Sequence, residues 1–236
     1  KDLLSQKFST NKYFILRHGQ TIYQTKKRNE IYPYPEKEPI GLTEEGIRQI
    51  QKSTQRLKKE KIDLIYSSDF YRAKQTAQKV AKELNLKINF DSRLGDVSLG
   101  IYHGKSKAEY YQEFPISEER FEKKPPGGES WFYCQKRMIQ FLKEIDKRNQ
   151  NKRILIISHG DPLWLLEGAI KGKTRKSLIE EKKKKGIIKT GEVRKLEFKF
   201  LPFNEKGEID FHRPYIDEVK FYCPRCKEGL MKRTPE

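Results

Sequence analysis

The chain has 236 residues, of which 36% are charged, and it carries a formal net charge of +18. This length allows one α/β domain with an appendage, while the apolar runs and the 11% aromatic content exclude a wholly disordered chain. No run approaches the roughly 20 apolar residues that span a membrane, and the N-terminal segment lacks the apolar centre of a signal peptide. We therefore expect a cytoplasmic protein without a membrane partner.

Short apolar runs that are rich in isoleucine and do not strictly alternate predict strands covered on both faces. They are "KYFILR" (12–17), "DLIYSS" (63–68) and "RILIIS" (153–158). Amphipathic stretches of helical length lie between and after them. These stretches are 43–59, 69–84, 130–147 and the apolar segment 163–170.

Strands that alternate with helices imply right-handed crossovers and a parallel sheet. We therefore predict a three-layer α/β sandwich with a mostly parallel central sheet over residues 1–202, with an edge strand at 192–200. From 203 to 236 the periodicity fades, and we expect a short irregular tail without a core of its own.

Polar chemistry follows each of the three predicted strands at its carboxyl end, where ligands bind in open parallel sheets. Arg17 and His18 follow the first strand, Arg72 comes shortly after the second, and His159 follows the third. Two imidazoles and two guanidiniums make a poor metal site but suit a tetrahedral oxyanion, because guanidinium groups hold phosphate oxygens in a bidentate way. One imidazole can attack phosphorus while the other stabilises the developing charge.

Five stretches, in order, resemble the signature of the histidine phosphatase superfamily, which includes cofactor-dependent phosphoglycerate mutases and broad phosphomonoesterases. They are "LRHGQT" (16–21), "GLTEEGIRQ" (41–49), "YSSDFYRAKQTA" (66–77), "PPGGES" (125–130) and "ISHGDPL" (157–163). The resemblance covers roughly residues 12–200. It implies hydrolysis or transfer of a phosphoryl group from a small phosphorylated substrate through phosphohistidine, with no metal needed for that step.

The resemblance assigns roles to individual residues. His18 would be the nucleophile, and Arg17, Arg72 and His159 would form the phosphate pocket, with His159 also serving catalysis. Which phosphate ester is the substrate, and whether the chain is a mutase or a phosphatase, stays open.

The family's proton donor is usually a glutamate, and the matching text "LGDVSLGIYHG" (94–104) has Asp96 there, which is one methylene shorter. Gln24 stands where the family often has a phosphate-binding asparagine. Tyr102 and His103 replace the usual Trp and Glu, and we expect His103 to be a loop residue near the pocket. The alternative is a catalytically inactive phosphatase-like domain that binds tRNA or another phosphate compound.

The segment from 205 to 236 resembles the part of isoleucyl-tRNA synthetases that leads from the editing insertion back to the catalytic core, through "HRPYIDE" followed by "CPRC". Cys223 and Cys226 would be two ligands of a structural zinc, in a zinc-knuckle-like tail whose other two ligands lie outside this chain. A first residue other than Met also suits an excised piece. We expect a phosphatase-like domain inserted into, or cut together with, an isoleucyl-tRNA synthetase. The alternative to the zinc site is a CxxC without metal, and the alternative to the synthetase segment is an accidental resemblance.

Basic residues are concentrated in the stretch 171–195. A strongly basic surface attracts polyanions in a salt-dependent way, so this stretch is our predicted tRNA-binding face. The alternative is a solvated, lysine-rich surface without a partner.

Overall fold

The computed structural model describes residues 10–25 and 28–196, which form a five-stranded sheet with layers of helices on both faces. The strands, in the order β3-β2-β4-β1-β5 across the sheet, are β1 Lys12–Arg17, β2 Leu64–Ser67, β3 Ile88–Phe90, β4 Arg153–Ser158 and β5 Val193–Leu196. The first four run parallel, and β5 pairs with β1 in the antiparallel direction. The predicted mostly parallel sheet is confirmed, as is the edge position of its last strand.

The helices that the amphipathic pattern predicts are present. The α-helices are α1 Glu44–Lys59, α2 Tyr71–Leu84, α3 Lys107–Glu113, α4 Trp131–Arg148, α5 Gly160–Ile170 and α6 Arg175–Lys185. Thr43 and Ser130 are the N-caps of α1 and α4, and each accepts a hydrogen bond from a backbone N–H in the first turn of its helix. Within the described ranges, no helix combines the length and the apolarity needed to cross a membrane.

Strand β1 shows why the sheet is covered on both sides. Tyr13 and Ile15 pack into the core formed with α4, α5 and α6, whereas Phe14 and Leu16 pack into the core formed with α1 and α2. Because successive side chains of a strand point to opposite faces, an unbroken apolar run fits a middle layer. The three-layer arrangement follows from this double burial.

Three elements of the described chain lie outside the prediction. Strand β3 has only three residues, and its side chains are partly or fully exposed. Helix α3 belongs to the insertion before α4. Helix α6 lies in the lysine-rich stretch, and its buried residues are Leu178 and Ile179. Residues 197–236 are outside the described residues, and with them the predicted zinc-knuckle-like tail, Cys223, Cys226 and the synthetase-like segment.

Candidate active site

The pairing of β1 with β4 brings the two predicted imidazoles together. Arg17 is opposite Ser158 in the parallel register, so the residues that follow these two, His18 and His159, leave the sheet side by side. The backbone N–H of His18 donates to the Ser158 carbonyl at 3.0 Å. The ring centroids of His18 and His159 are 5.1 Å apart, and both side chains are fully buried.

The surroundings of His18 fix its protonation. Its Nδ1 lies 2.8 Å from the Gly19 carbonyl oxygen, which can only accept, so Nδ1 carries the proton and Nε2 keeps a free lone pair. Burial lowers the pKa of His18 well below its ordinary value, and the nearby Arg72, His159 and Arg17 lower it further. His18 is therefore a neutral imidazole at physiological pH.

His159 is held by a hydroxyl from the end of β2. Its Nε2 lies 2.9 Å from Ser68 Oγ, while its Nδ1 is buried and has no hydrogen-bond partner among the described residues. Nδ1 is 3.6 Å from Asp96 Oδ2, which is too long for a hydrogen bond. Burial, and then the charge of Arg72, lower the pKa of His159 well below its ordinary value, so the His159 ring is neutral in this contact.

Arg72, from the first turn of α2, is the most enclosed cation of the site, with a side chain only 1% exposed. Its Nη1 donates to Glu36 Oε1 at 2.7 Å, and its Nη2 donates to Asp96 Oδ2 at 3.2 Å. The guanidinium lies 3.9 Å from the ring centroid of Tyr32 and 5.0 Å from that of Phe70. Two carboxylates thus occupy both terminal nitrogens of Arg72.

Arg17, the last residue of β1, approaches the start of α5. Its Nη1 donates to the Ile188 carbonyl at 3.0 Å. A Cβ at Gly160 would lie 3.0 Å from Arg17 Cζ and 2.7 Å from Ile187 Cδ1, so the glycine makes room for the guanidinium.

Three buried polar atoms of the site lack a hydrogen-bond partner within the part of the chain that the structure describes. They are Nε of Arg17, Nε of Arg72 and Nδ1 of His159. Leaving a buried polar group unpaired is unfavourable, and buried groups are usually satisfied by protein, water or ligand. An oxyanion bound beside the two imidazoles would give these three atoms hydrogen-bond partners.

Asp96 and Gln24 line the cavity, but both are engaged. Asp96 Oδ1 accepts from the Val97 backbone N–H at 3.0 Å while Oδ2 contacts Arg72. Gln24 Oε1 accepts from the Thr21 backbone N–H at 2.9 Å, and its Nε2 donates to the Tyr32 hydroxyl at 2.6 Å. An amide nitrogen has two N–H groups, so Gln24 keeps a second donor.

The cavity has a volume of about 400 Å³, and Arg17, Gln24, Arg72 and Asp96 contribute to its lining. The two imidazoles are buried and do not line it. The two arginines and Asp96 are therefore accessible from the cavity, whereas the two imidazoles lie behind its wall.

Sequence reasoning missed three residues of this site. Ser68 lies in a stretch that the sequence placed at the pocket, but nothing singled out its hydroxyl as the partner of His159. Glu36 and Tyr32 come from the proline-rich segment 32–41, in which no sequence pattern indicated a functional residue. No spacing rule identifies a carboxylate in an irregular loop as the partner of a distant arginine.

His103 is a loop residue beside the cavity, as predicted. Its Nε2 accepts from the Leu99 backbone N–H at 3.0 Å, and its Nδ1 lies 2.9 Å from the Tyr32 carbonyl oxygen. Both ring nitrogens therefore serve to join two loops.

Within residues 10–25 and 28–196, no group of three or more His, Cys, Asp or Glu side chains is arranged to hold a metal ion. Cys134 is buried in α4 and is not part of a disulfide. The predicted zinc ligands Cys223 and Cys226 are among the residues that the structure does not describe.

The sequence pattern of the Histidine phosphatase superfamily (branch 1) matches residues 13–198. The chain belongs to this superfamily. It is similar to phosphoserine phosphatase 1 of Hydrogenobacter thermophilus, with 28% identity over 166 residues that cover 68% of this chain and 76% of the relative.

Solved structures agree with this assignment. A phosphoserine phosphatase from Entamoeba histolytica in complex with 3-phosphoglyceric acid is 25% identical, with a TM-score of 0.63, covering 78% of this chain and 89% of that one. A mycobacterial glucosyl-3-phosphoglycerate phosphatase, 22% identical over 78% of this chain and 88% of its own, has a TM-score of 0.66 and shows the shared fold. These matches give no support to the synthetase resemblance of 205–236, which stays a prediction.

Proposed function

We propose that this domain hydrolyses phosphate monoesters of small molecules through a phosphohistidine formed on His18. The observation that carries the proposal is the pair of neutral imidazoles, with centroids 5.1 Å apart, beside two arginines with buried, unpartnered Nε atoms. His18 has the free Nε2 lone pair that a nucleophile needs without prior loss of a proton. Arg17, Arg72 and Gln24 bind the phosphoryl group, and His159 stabilises its charge.

In the first step, His18 Nε2 attacks phosphorus and the bond from phosphorus to the ester oxygen breaks. Asp96 gives a proton to the leaving oxygen, then removes one from the water that attacks phosphohistidine. Phosphate and free His18 are the products. Because phosphate oxygens compete with Asp96 for Arg72, substrate binding weakens the contact between Asp96 and Arg72 and leaves the Asp96 carboxyl group free to face the leaving oxygen.

The relatives support small phosphorylated substrates and hydrolysis. Phosphoserine phosphatase 1 of Hydrogenobacter thermophilus and the Entamoeba histolytica enzyme are both phosphatases by name, and the latter was solved with 3-phosphoglyceric acid. We therefore propose phosphorylated small metabolites as the substrate class, with water as the acceptor. Adding an alcohol such as glycerol during turnover distinguishes the two acceptors, since a mutase-like transferase would form a new ester.

The test is turnover of p-nitrophenyl phosphate and O-phosphoserine by the purified chain, compared with its His18→Ala variant. We expect the variant to lose activity by about a thousand-fold or more, because the covalent intermediate cannot form. His212→Asn is the matched control, since His212 lies outside the residues described here and outside the family signature. Equal turnover by wild type and His18→Ala would contradict the mechanism, and no turnover of either ester would favour the inactive binding module.

Attachment to an isoleucyl-tRNA synthetase, zinc at Cys223 and Cys226, and tRNA binding by 171–195 are further proposals that rest on sequence alone. The test of attachment is the mass of the natural polypeptide that an antibody against this domain captures from its source. A mass near 28.1 kDa would contradict it. Zinc content of the captured natural polypeptide, which would carry the other two ligands, tests the metal.

A further inference from the structure

The loop that carries Asp96 is fastened to helix α4 by one side chain, that of Arg137. We propose that Arg137, together with Glu129, positions Asp96, so that the Asp96 carboxyl group meets the leaving oxygen of the substrate. This inference rests on the proposed phosphatase function and adds two residues that act on the reaction through Asp96.

Asp96 lies in residues 95–99, which join the 3-10 helices Ser92–Leu94 and Gly100–Tyr102. An aspartate has only two side-chain torsions, so its backbone largely decides where the carboxyl group lies. Asp96 Oδ1 also accepts from the Val97 N–H at 3.0 Å, which ties the side chain to that backbone. The position of the acid therefore depends on what holds this irregular segment in place.

Arg137 holds the segment with every hydrogen-bond donor that its guanidinium has. Its Nη1 donates to the carbonyl oxygens of Arg93 and Gly95, the latter at 2.9 Å, and its Nη2 donates to that of Asp96 at 3.0 Å. Its Nε and Nη2 donate to the two carboxylate oxygens of Glu129, at 3.0 and 2.6 Å. A guanidinium has five N–H donors, and these five contacts use all of them.

Glu129 extends the contact to the other side of Asp96. Its Oε1 accepts from the Ser98 N–H at 3.1 Å, and its own N–H donates to the Ser98 carbonyl at 2.9 Å. Glu129 directly precedes Ser130, the N-cap of α4, and Arg137 lies within that helix. One helix therefore holds the backbone on both sides of the acid.

The pair of Arg137 and Glu129 is shielded from water and anchored in the core. Their side chains are only 19% and 17% exposed. Cys134 and Met138, which flank Arg137 on α4, are fully buried in the core of the domain. A bidentate pair of arginine and carboxylate fixes geometry as well as adding energy, so the segment around Asp96 is held in one place.

Asp96 keeps this support when a phosphoryl group is bound. Its Oδ2 contacts Arg72 Nη2 at 3.2 Å, and phosphate oxygens compete for that nitrogen. Arg137 instead binds the backbone of Asp96, so the carboxyl group can transfer a proton without losing this contact. Holding the backbone of an acid while one carboxyl oxygen stays free is suited to proton transfer, which requires exact placement.

The experiment compares two esters that differ in how much their leaving group needs a proton. p-Nitrophenolate is a weak base and leaves without one, whereas phenolate is a stronger base and leaves faster when an acid protonates it. We measure kcat/KM, which reports the formation of phosphohistidine, for p-nitrophenyl phosphate and for phenyl phosphate. The readout is the ratio of the first value to the second.

Arg137→Met should raise this ratio by about ten- to a hundred-fold, because a misplaced acid slows the phenyl ester and leaves the nitrophenyl ester almost unchanged. Arg137→Lys keeps the charge but has three donors in place of five, and it should raise the ratio by a smaller factor. Glu129→Gln should also raise it, and it tests the pair even if Arg137→Met does not fold. Arg148→Met, at an exposed position of the same helix, is the matched control and should leave the ratio unchanged.

A second measurement separates the positioning of Asp96 from a general loss of structure. Asp96→Asn should raise the ratio by itself, and Arg137→Met in that background should raise it no further, because no acid is left to place. An unchanged ratio in Arg137→Met, Arg137→Lys and Glu129→Gln, or a rise of the same size with and without Asp96, would overturn the inference and leave the phosphatase function intact. If the wild type turned over neither ester, the proposed function itself would fail, and the inference with it.

Discussion

The contact between Glu36 and Arg72 predicts an unusual variant, Glu36→Gln, that binds phosphate more tightly than the wild type. Glu36 Oε1 accepts from Arg72 Nη1 at 2.7 Å, and the Arg72 side chain is 1% exposed. A phosphoryl group that takes the N–H of Nη1 bonded to Glu36 must displace this carboxylate. The loop carboxylate and the substrate therefore compete for one nitrogen.

The magnitude follows from the kind of bond. A hydrogen bond to a charged group contributes about 1.5–3 kcal/mol, and every 1.4 kcal/mol is about tenfold in affinity. Glutamine keeps the shape and still accepts, but its neutral hydrogen bond is roughly half as strong. We therefore expect the Ki of inorganic phosphate to fall by about three- to tenfold.

Stability should change in the opposite direction. Arg72 is buried and keeps Asp96 at 3.2 Å, so the variant loses one of two carboxylate partners. We expect a loss of about 1 kcal/mol, which lowers Tm by about 2–4 °C for a domain of this size.

The assay is inhibition of p-nitrophenyl phosphate hydrolysis by inorganic phosphate at pH 7, together with thermal unfolding. Glu38→Gln is the matched control, since Glu38 is exposed in the same loop. A Ki that stays constant or rises in Glu36→Gln, with Glu38→Gln equal to wild type, would refute the competition between Glu36 and phosphate.

Three further predictions concern the imidazoles and the basic face. Ser68→Ala removes the hydroxyl 2.9 Å from His159 Nε2 and should lower kcat about tenfold, with recovery in Ser68→Thr; equal kcat in all three proteins would deny Ser68 a positioning role. Burial lowers the pKa of His18 and of His159 below their ordinary value of 6.5, so below that pH the unfolded chain binds protons that the folded protein does not. The free energy of unfolding should thus decrease as the pH falls below 6.5. Urea unfolding at pH 7.5 and 5.5 measures this decrease, which should be smaller in His18→Asn than in the wild type. An equal decrease in both proteins would contradict this prediction. In filter binding, the affinity for tRNA should fall steeply between about 50 and 200 mM salt, and it should be weaker when lysines 183–185 are replaced by glutamine. Binding that does not depend on salt, or no detectable binding, would favour a solvated surface without a partner.

The sheet and its main helices were predictable because their signals are local. The apolar run of β1 fits a strand buried on both faces, and the caps Thr43 and Ser130 mark helix starts through a hydrogen bond that a short motif encodes. Helix α6 was not predictable in the same way, since its only buried residues are Leu178 and Ile179 amid lysines and its apolar face is too small to produce a periodic signal.

The residues of the site also differ in whether a local sequence signal indicates them. Convergence of His18 and His159 follows from strand ends in one parallel sheet, which a sequence can indicate. The partners of those residues come from loops, where the chain path decides which side chains meet. Glu36 and Ser68 are of this kind.

The most direct test of the account is to trap the covalent intermediate. The protein is mixed with ³²P-labelled aryl phosphate, quenched within the first turnover, and digested for peptide mapping. We predict phosphate that is stable to alkali, labile to acid and located on His18, with none on His18→Ala. Turnover of the same ester without labelled protein, or with label on another residue, would contradict a phosphohistidine mechanism at this site.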